Sequence, residues 1–182
     1  MNFTQNVSEF YTFLTQPIFK YNKADKLGIP SLFSLYAFTF LVVILLSSPI
    51  MILIGGDEMP HAMTEMIAKF PKWQLFLLAV VVMPALEELF FRAHLKLTFW
   101  QKFNFGYPFY FTAALFAYAH LFNFSLDADK WFLGPLLIIP QLILGFFLGY
   151  IRVRNNIWTS IFFHSFHNGL AFTALMFAPE AM

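Results

Sequence analysis

The sequence contains no cysteine and little charge. Of its 182 residues, 12 % are Asp, Glu, Lys or Arg, whereas 59 % are apolar and 21 % are aromatic. The absence of cysteine excludes a disulfide-stabilised scaffold. Soluble domains carry about 25 % charged residues, so this chain has too few polar side chains to cover a small fold in water. The same composition excludes a disordered chain. The class that remains is an integral membrane protein, with the lipid bilayer as its first partner.

An excess of basic residues is also missing. Eleven Lys and Arg stand against ten Asp and Glu, which gives a formal net charge of +1. Proteins that bind nucleic acids usually present a basic surface, so we expect no nucleic-acid partner.

Five stretches are apolar enough to cross a bilayer in whole or in part. A hydrocarbon core of about 30 Å needs a helix of about 20 mostly apolar residues. The stretches are residues 31–54, 73–94, 107–122, 131–150 and 157–178. The sequence therefore predicts an all-α fold, a polytopic transmembrane helix bundle of about five spans. We expect residues 31–182 to form this bundle as a single domain.

Residues 1–30 form a predicted N-terminal segment ahead of the first span. Its apolar residues fall near helical spacing, namely Phe3, Val7, Phe10, Leu14 and Phe19. This spacing predicts an amphipathic helix over residues 2–20 that lies in the membrane interface. The alternative is a loosely ordered tail.

The Lys and Arg residues in the loops predict the orientation of the bundle. With five spans, one side receives Lys20, Lys23, Lys26, Lys96, Lys102, Arg152 and Arg154, and the other receives Lys69, Lys72 and Lys130. Because loops rich in Lys and Arg stay in the cytoplasm, we expect a multi-pass protein of the cell membrane. Its N-terminus is predicted to be cytoplasmic and its C-terminus to lie outside.

Ionisable side chains inside these spans are the strongest functional signal. A charge at the bilayer centre costs on the order of 2.5–3.5 kcal/mol and usually serves a function, although a buried pair that only locks packing is the alternative. Glu88 and Arg92 are four residues apart with the acid first, which predicts an intrahelical ion pair. Glu87 lies about 100° around the helix from Glu88, so it has no local cation, which suits a general base. Pro84, one turn earlier, predicts a kink.

Two further spans carry imidazole and amide groups. In the third span Phe116 and His120 are four residues apart, and in the fifth span His164 and Asn168 are four apart. Each pair therefore lies on one helix face. An imidazole and an amide aimed in the same direction can donate hydrogen bonds to a developing oxyanion. Taken alone, His120 is more often a structural hydrogen-bonding residue.

These three pieces, in this order, resemble the CPBP family of CAAX proteases and bacteriocin-processing enzymes, whose members are also called Abi proteins. The matching motifs are Glu87-Glu88-x-x-x-Arg92, Phe116-x-x-x-His120 and His164-x-x-x-Asn168. The resemblance covers residues 72–178, which would form the catalytic core of the bundle.

The resemblance implies an intramembrane endopeptidase that acts on a membrane-associated peptide or protein. It implies that Glu87 and His120 activate water. It also implies that His164 and Asn168 stabilise the oxyanion, and that Glu88 and Arg92 act as supporting residues.

The residues leave open whether a metal ion takes part. A divalent ion such as zinc would be held by Glu87, His120 and His164. However, the pattern H-E-x-x-H is absent, and adjacent glutamates diverge on a helix. We therefore favour water activation without a cofactor, as in a glutamic-type protease, over a metalloprotease.

Two other functions fit an apolar bundle with polar side chains inside it. One is a non-catalytic membrane protein of the same fold, in bacteriocin immunity or as a scaffold. The other is a proton-coupled carrier, which lacks support because the sequence has no inverted repeat. The complete motif set favours the enzyme, because a scaffold does not need a water-activating pair.

Overall fold

The computed structural model describes residues 2–19, 26–54, 62–124 and 128–177. This part of the chain is nearly all helical and contains no strand. The α-helices are α1 (Phe3–Thr15), α2 (Ile29–Ile54), α3 (Ala62–Lys69), α4 (Lys72–Phe76), α5 (Met83–Arg92), α6 (Gly106–Ala119), α7 (Gly134–Leu137), α8 (Ile139–Arg154) and α9 (Ile157–Phe177). A π-helical segment, Leu77–Val82, joins α4 to α5. Short 3₁₀ turns lie at Ala93–Lys96, Thr98–Lys102, His120–Asn123 and Ala128–Leu133.

Three helical segments of the described chain are long and apolar enough to cross a membrane. They are Ile29–Ile50, Lys72–Lys96 and Trp131–Arg154. The other two predicted spans, which correspond to α6 and α9, do not meet this description, for different reasons. Helix α6 has 14 residues, or about 21 Å of rise, less than the hydrocarbon core. Helix α9 has 21 residues, but the polar side chains of its middle lower its hydropathy. The count of five spans therefore stays a prediction.

Helix α8 packs against α2, α6 and α9 and forms the centre of the core. Its close approach to α6 depends on two glycines. A Cβ at Gly149 would lie 2.8 Å from the Phe109 ring, and one at Gly145 would lie 3.3 Å from the Phe116 ring. Because glycine has no side chain, these buried rings of α6 rest directly against the α8 backbone. This contact holds α6, and with it His120, beside the rest of the bundle.

Helix α1 covers one end of the core. It begins with a capping box in which the side chains of Asn2 and Gln5 each accept the other's backbone N–H, which satisfies donors of the first turn. On its inner face, Phe10 and Phe13 lie 5.0 Å and 4.9 Å from the Tyr150 ring of α8. Its position in the membrane interface stays a prediction.

One end of the bundle is held together by cations and amides from separate helices. Arg152 donates hydrogen bonds to the carbonyls of Arg92 and Ala93, at the end of α5, where helix carbonyls lack intrahelical donors. Asn155, after α8, bonds both backbone groups of Leu27, just before α2. The chain segments that precede α2, follow α5 and follow α8 therefore meet at one end.

The predicted orientation assigns these segments to the cytoplasmic side. Lys20 and Lys23 lie outside the described residues, as does the side chain of Lys130, and the orientation itself stays a prediction. The division at residues 30 and 31 likewise stays a prediction, and the C-terminal residues 178–182 are not described.

Candidate active site

A fully buried carboxylate lies between α5 and α9. Glu88 Oε1 accepts hydrogen bonds from Arg92 Nη1 at 2.8 Å and from His164 Nδ1 at 2.9 Å. Its Oε2 accepts a hydrogen bond from the Ser160 hydroxyl. All four side chains are at most 1 % exposed. A buried ionised group is tolerated when a counter-charge and hydrogen bonds surround it, and Glu88 has both.

Helical spacing explains how two elements supply this cluster. Glu88 and Arg92 lie one turn apart on α5, as the sequence predicts, and Ser160 and His164 lie one turn apart on α9. Packing of α5 against α9 turns the two pairs toward each other. The guanidinium of Arg92 also lies over the ring of Phe116, with Cζ 3.8 Å from the centroid, a cation–π contact that fixes its position.

The hydrogen bonds assign the protons on His164. Glu88 is ionised because Arg92 neutralises it, so the His164 Nδ1 that faces it carries the hydrogen. The other ring nitrogen, Nε2, faces Glu87 Oε2 at 3.5 Å. Both of these atoms are buried and make no hydrogen bond within the described structure. Unsatisfied buried polar atoms are rare and often mark reactive positions.

Glu87 is therefore different from its neighbour Glu88. Its side chain is 20 % exposed, and its only ion-pair partner in the described chain is the distal nitrogen of His164. Adjacent helix positions point about 100° apart, which explains why Glu88 is fully enclosed whereas the Glu87 side chain is partly exposed, although its Oε2 is buried.

His120 ends α6 and begins the 3₁₀ turn that follows it. Its Nδ1 donates a hydrogen bond to the Phe116 carbonyl at 2.8 Å, which leaves Nε2 as the nitrogen that can accept a proton. The imidazole also packs on the Phe116 ring, with centroids 4.5 Å apart. The four-residue spacing thus fixes both the tautomer and the position of this histidine.

His120 and Asn168 line the same cavity, which has a volume of about 370 Å³. Its lining is partly polar and partly apolar: Met63, Ala79, His120, Asn123, Gln141, His167, Asn168, Ala171, Phe172 and Leu175. The Asn168 amide donates a hydrogen bond through Nδ2 to the carbonyl of Ala79 at 2.9 Å. This contact connects α9 to the π-helical segment.

The predicted site residues thus form two neighbouring groups. Glu87, Glu88, Arg92 and His164 make direct contacts with one another, whereas His120 and Asn168 lie on the cavity. The structure places Glu87 beside His164, whereas the resemblance pairs it with His120. Phe116 joins the groups, because its ring contacts both imidazoles, at 4.5 Å to His120 and 5.4 Å to His164.

Sequence reasoning missed Ser160, which donates to Glu88 from a fully buried position. The available signal was its spacing, four residues before His164 in an apolar stretch. It also left His167 unassigned. That imidazole lies beside Tyr36, with Nδ1 3.3 Å from the phenol oxygen, and it lines the cavity.

The described residues contain no group of three or more His, Asp or Glu side chains arranged to hold a metal ion. The alternative ligand set of Glu87, His120 and His164 stays a prediction. Nδ1 of His164 is also engaged by Glu88, and only Nε2 would be available to an ion.

A comparison with known protein families identifies the family of this chain. The family described as type II CAAX prenyl endopeptidase, Rce1-like, matches residues 69–170. This range includes all six predicted catalytic and supporting residues, and it is more than half of the chain. No curated protein and no solved structure matches.

Proposed function

The chain belongs to the Rce1-like family of type II CAAX prenyl endopeptidases, and from this premise we propose that it hydrolyses a peptide bond of a membrane-associated peptide or protein. The family and the apolar helices make it a membrane protease of CAAX type. The roles of individual residues, the water-activating chemistry and the substrate are the proposal.

Water activation is assigned to Glu87 and His120. As the water oxygen attacks the carbonyl carbon of the scissile bond, Glu87 takes a proton from the water, and the carbonyl π electrons move onto its oxygen. His120 orients the same water through Nε2, the nitrogen that its bond to the Phe116 carbonyl leaves as an acceptor. When the intermediate collapses, the carbon–nitrogen bond breaks, and Glu87 returns the proton to the leaving amine.

Oxyanion stabilisation is assigned to His164 and Asn168. Glu88 holds the imidazole of His164 from the Nδ1 side, so Nε2 is the ring nitrogen that is directed toward the oxyanion. Asn168 supplies a second donor from the cavity wall.

The observation that carries this proposal is the pair of unsatisfied buried atoms, Glu87 Oε2 and His164 Nε2, 3.5 Å apart. Both oxygens of Glu88 in the same cluster accept hydrogen bonds, and Arg92 Nη2 is the other atom of the cluster that is buried without a partner. Glu87 Oε2, which can accept a proton, faces His164 Nε2. The hydrogen bond from His164 Nδ1 to Glu88 holds the ring in this orientation.

A non-catalytic scaffold or immunity protein of the same fold is the second reading, and it is not favoured. Binding a partner needs a complementary surface, and it does not require that Glu87 Oε2 and His164 Nε2 face each other without hydrogen bonds. A metal-free reaction is likewise part of the proposal. No step of the proposed chemistry requires an ion.

The test uses the purified protein in liposomes with a quenched fluorescent peptide that ends in Cys, two aliphatic residues and a final residue, either farnesylated on the cysteine or unmodified. We expect wild type to cleave at least one form. Glu87→Gln should abolish cleavage, because the amide has the same shape but cannot take a proton. A loss of at least about 100-fold is expected, the scale of general-base catalysis.

Glu65→Gln is the matched control, because Glu65 is an exposed glutamate of α3 paired with Lys69. It should cleave at the wild-type rate. Wild-type cleavage by Glu87→Gln would overturn the assignment of the base. If wild type cleaves neither peptide, membrane peptides of cells that express wild type or Glu87→Gln should be compared by mass spectrometry. Identical peptide sets would then overturn the proposed activity.

A further inference from the structure

The backbone just before the glutamates has a gap in its hydrogen bonds. In the π-helical segment, bonds join residues five apart, and the last of them runs from the Met83 N–H to the Leu78 carbonyl. The next bond in this pattern would run from residue 84 to the Ala79 carbonyl. Residue 84 is proline, which has no N–H. Ala79 therefore loses the donor that the helix would otherwise supply.

The side chain of Asn168 takes the place of that donor. Its Nδ2 donates to the Ala79 carbonyl at 2.9 Å, across the contact between α9 and the π-helical segment. The two helices pack closely at this point: a Cβ at Gly169 would lie in ordinary van der Waals contact with Val80, 3.5 Å away. Within a membrane an unsatisfied carbonyl is strongly unfavourable, so the hydrogen bond to Ala79 holds the Asn168 amide in place.

The bond to Ala79 also restricts the orientation of the whole amide. A carboxamide is planar, and its two N–H groups diverge from one nitrogen. When one N–H is held by a backbone carbonyl, the second is restricted to a direction set by the backbone. Asn168 and Ala79 both line the cavity that contains His120, which is where the oxyanion donor of the proposed function is needed.

We propose that Pro84 is a positioning residue: by removing a backbone donor, it reserves the Ala79 carbonyl for Asn168 and thereby fixes the amide that donates to the oxyanion. The inference rests on the proposed function for its catalytic consequence, but the anchoring of Asn168 is independent of it. π-Helical turns inside α-helices frequently occur at functional sites. In this turn, Pro84 leaves the Ala79 carbonyl available to the Asn168 side chain.

The first test needs no substrate. Protein in detergent micelles is labelled with ¹⁵N only on asparagine, and the Asn168 side-chain resonance is assigned by its loss in Asn168→Asp. Pro84→Ala and Pro84→Ser restore an N–H that competes for the Ala79 carbonyl. Both should shift the Asn168 amide proton upfield, toward the position of a more weakly bonded amide. Pro49→Ala, which alters another proline inside a helix, should leave it unchanged.

An Asn168 resonance that stays at its wild-type position in both Pro84 variants would overturn the inference, whatever the protein's activity. If one of the two Pro84 variants fails to fold, the other can still be measured. The Asn168→Asp variant also tests the anchoring, because Asp cannot donate a hydrogen bond to the Ala79 carbonyl. In that case the exchange rate of the backbone amides in residues 80–86 is compared between wild type and Asn168→Asp. It should rise in Asn168→Asp, and an unchanged rate would count against anchoring.

The second test is a double-mutant cycle on peptide cleavage. Pro84→Ala should lower kcat by about tenfold or more with little change in KM, because a displaced donor weakens only the transition state. In an Asn168→Ala background the same change should alter kcat by less than about twofold, since the residue through which Pro84 acts is gone. Equal effects in both backgrounds would overturn the positioning role.

The two tests separate the possible failures. If wild type cleaves no peptide but the Asn168 resonance moves as expected, the proposed function has failed and the anchoring stands. If cleavage is present but neither the resonance nor the cycle shows coupling, the proposed function stands and the role of Pro84 is wrong.

Discussion

Replacing Arg92 with methionine is the most direct test of the buried cluster. The guanidinium is 1 % exposed, donates to Glu88 at 2.8 Å and stacks on Phe116 at 3.8 Å. Methionine is unbranched and apolar and fills much of the same space. The change therefore removes the charge and the hydrogen bond while keeping most of the packing. It leaves the Glu88 carboxylate buried without its cation.

The expected loss follows from the contacts that are removed and those that remain. Removing one member of a buried ion pair costs about 3–5 kcal/mol. Glu88 keeps two hydrogen bonds, from His164 and Ser160, and bonds to a charged group contribute about 1.5–3 kcal/mol each. The remaining donors place the expected loss near the lower end, at about 3 kcal/mol of unfolding free energy.

Unfolding in mixed micelles, followed by the fluorescence of the four tryptophans, measures this loss. The controls are Arg92→Lys, which keeps a positive charge, and Glu88→Gln with Arg92→Met, which removes both charges. The double variant should recover to within about 1 kcal/mol of wild type, because no uncompensated charge remains. An Arg92→Met variant as stable as wild type would refute the ion-pair argument. So would a double variant no more stable than Arg92→Met alone.

Three further predictions concern the rest of the molecule. Ser160→Ala should lower the unfolding free energy by about 1.5–3 kcal/mol, because a buried carboxylate loses a donor, whereas Ser165→Ala on the same helix should change it by less than about 0.5 kcal/mol; equal losses would contradict the role of Ser160. The chain has no cysteine, so single Lys102→Cys and Lys69→Cys variants can be labelled with an impermeant maleimide. Lys102→Cys should react only from the cytoplasmic side and Lys69→Cys only from outside, and labelling from the same side would refute the predicted orientation. Peptide cleavage should survive treatment with strong chelators, with no stoichiometric metal in elemental analysis; loss of activity that zinc restores would establish a metal-dependent reaction instead.

The parts of the site that sequence predicts well are those set within one helix. The ion pair of Glu88 and Arg92 follows from their spacing alone, and so does the divergence of Glu87 from Glu88. Ser160 could not be identified in this way, because its role depends on which helix faces α5. A serine in an apolar stretch more often bonds a carbonyl of its own helix, as Thr112 does in α6.

In the fold, too, the sequence predicts features set within one helix but does not predict those that depend on contacts between helices. The apolar stretches predict the helices, but hydropathy alone does not separate a spanning helix from a short buried one. Helix α6 ends one residue before His120 and is therefore too short to cross the bilayer. Helix α9 is long enough, but the polar site residues that it carries lower its mean hydropathy. Pro84 predicts a disturbance of its helix, yet the π-helical form and the partner of the Ala79 carbonyl depend on α9.

The two adjacent glutamates show how an apolar protein can keep a reactive carboxylate. A single buried carboxylate with no partner would be costly and free to change rotamer. Glu88 instead collects a cation and two further donors, and in doing so it fixes the ring of His164 from the Nδ1 side. That fixed ring directs Nε2 toward Glu87 at 3.5 Å. Glu88, with its hydrogen bonds satisfied, thus fixes the position of His164, and Glu87 is held beside that ring.

It follows that Glu88→Gln should weaken cleavage, because His164 would become disordered even though Glu87 is intact. The effect of Glu88→Gln should nearly vanish in a His164→Ala background. Additive effects of the two substitutions on kcat would show that Glu88 does not act through His164.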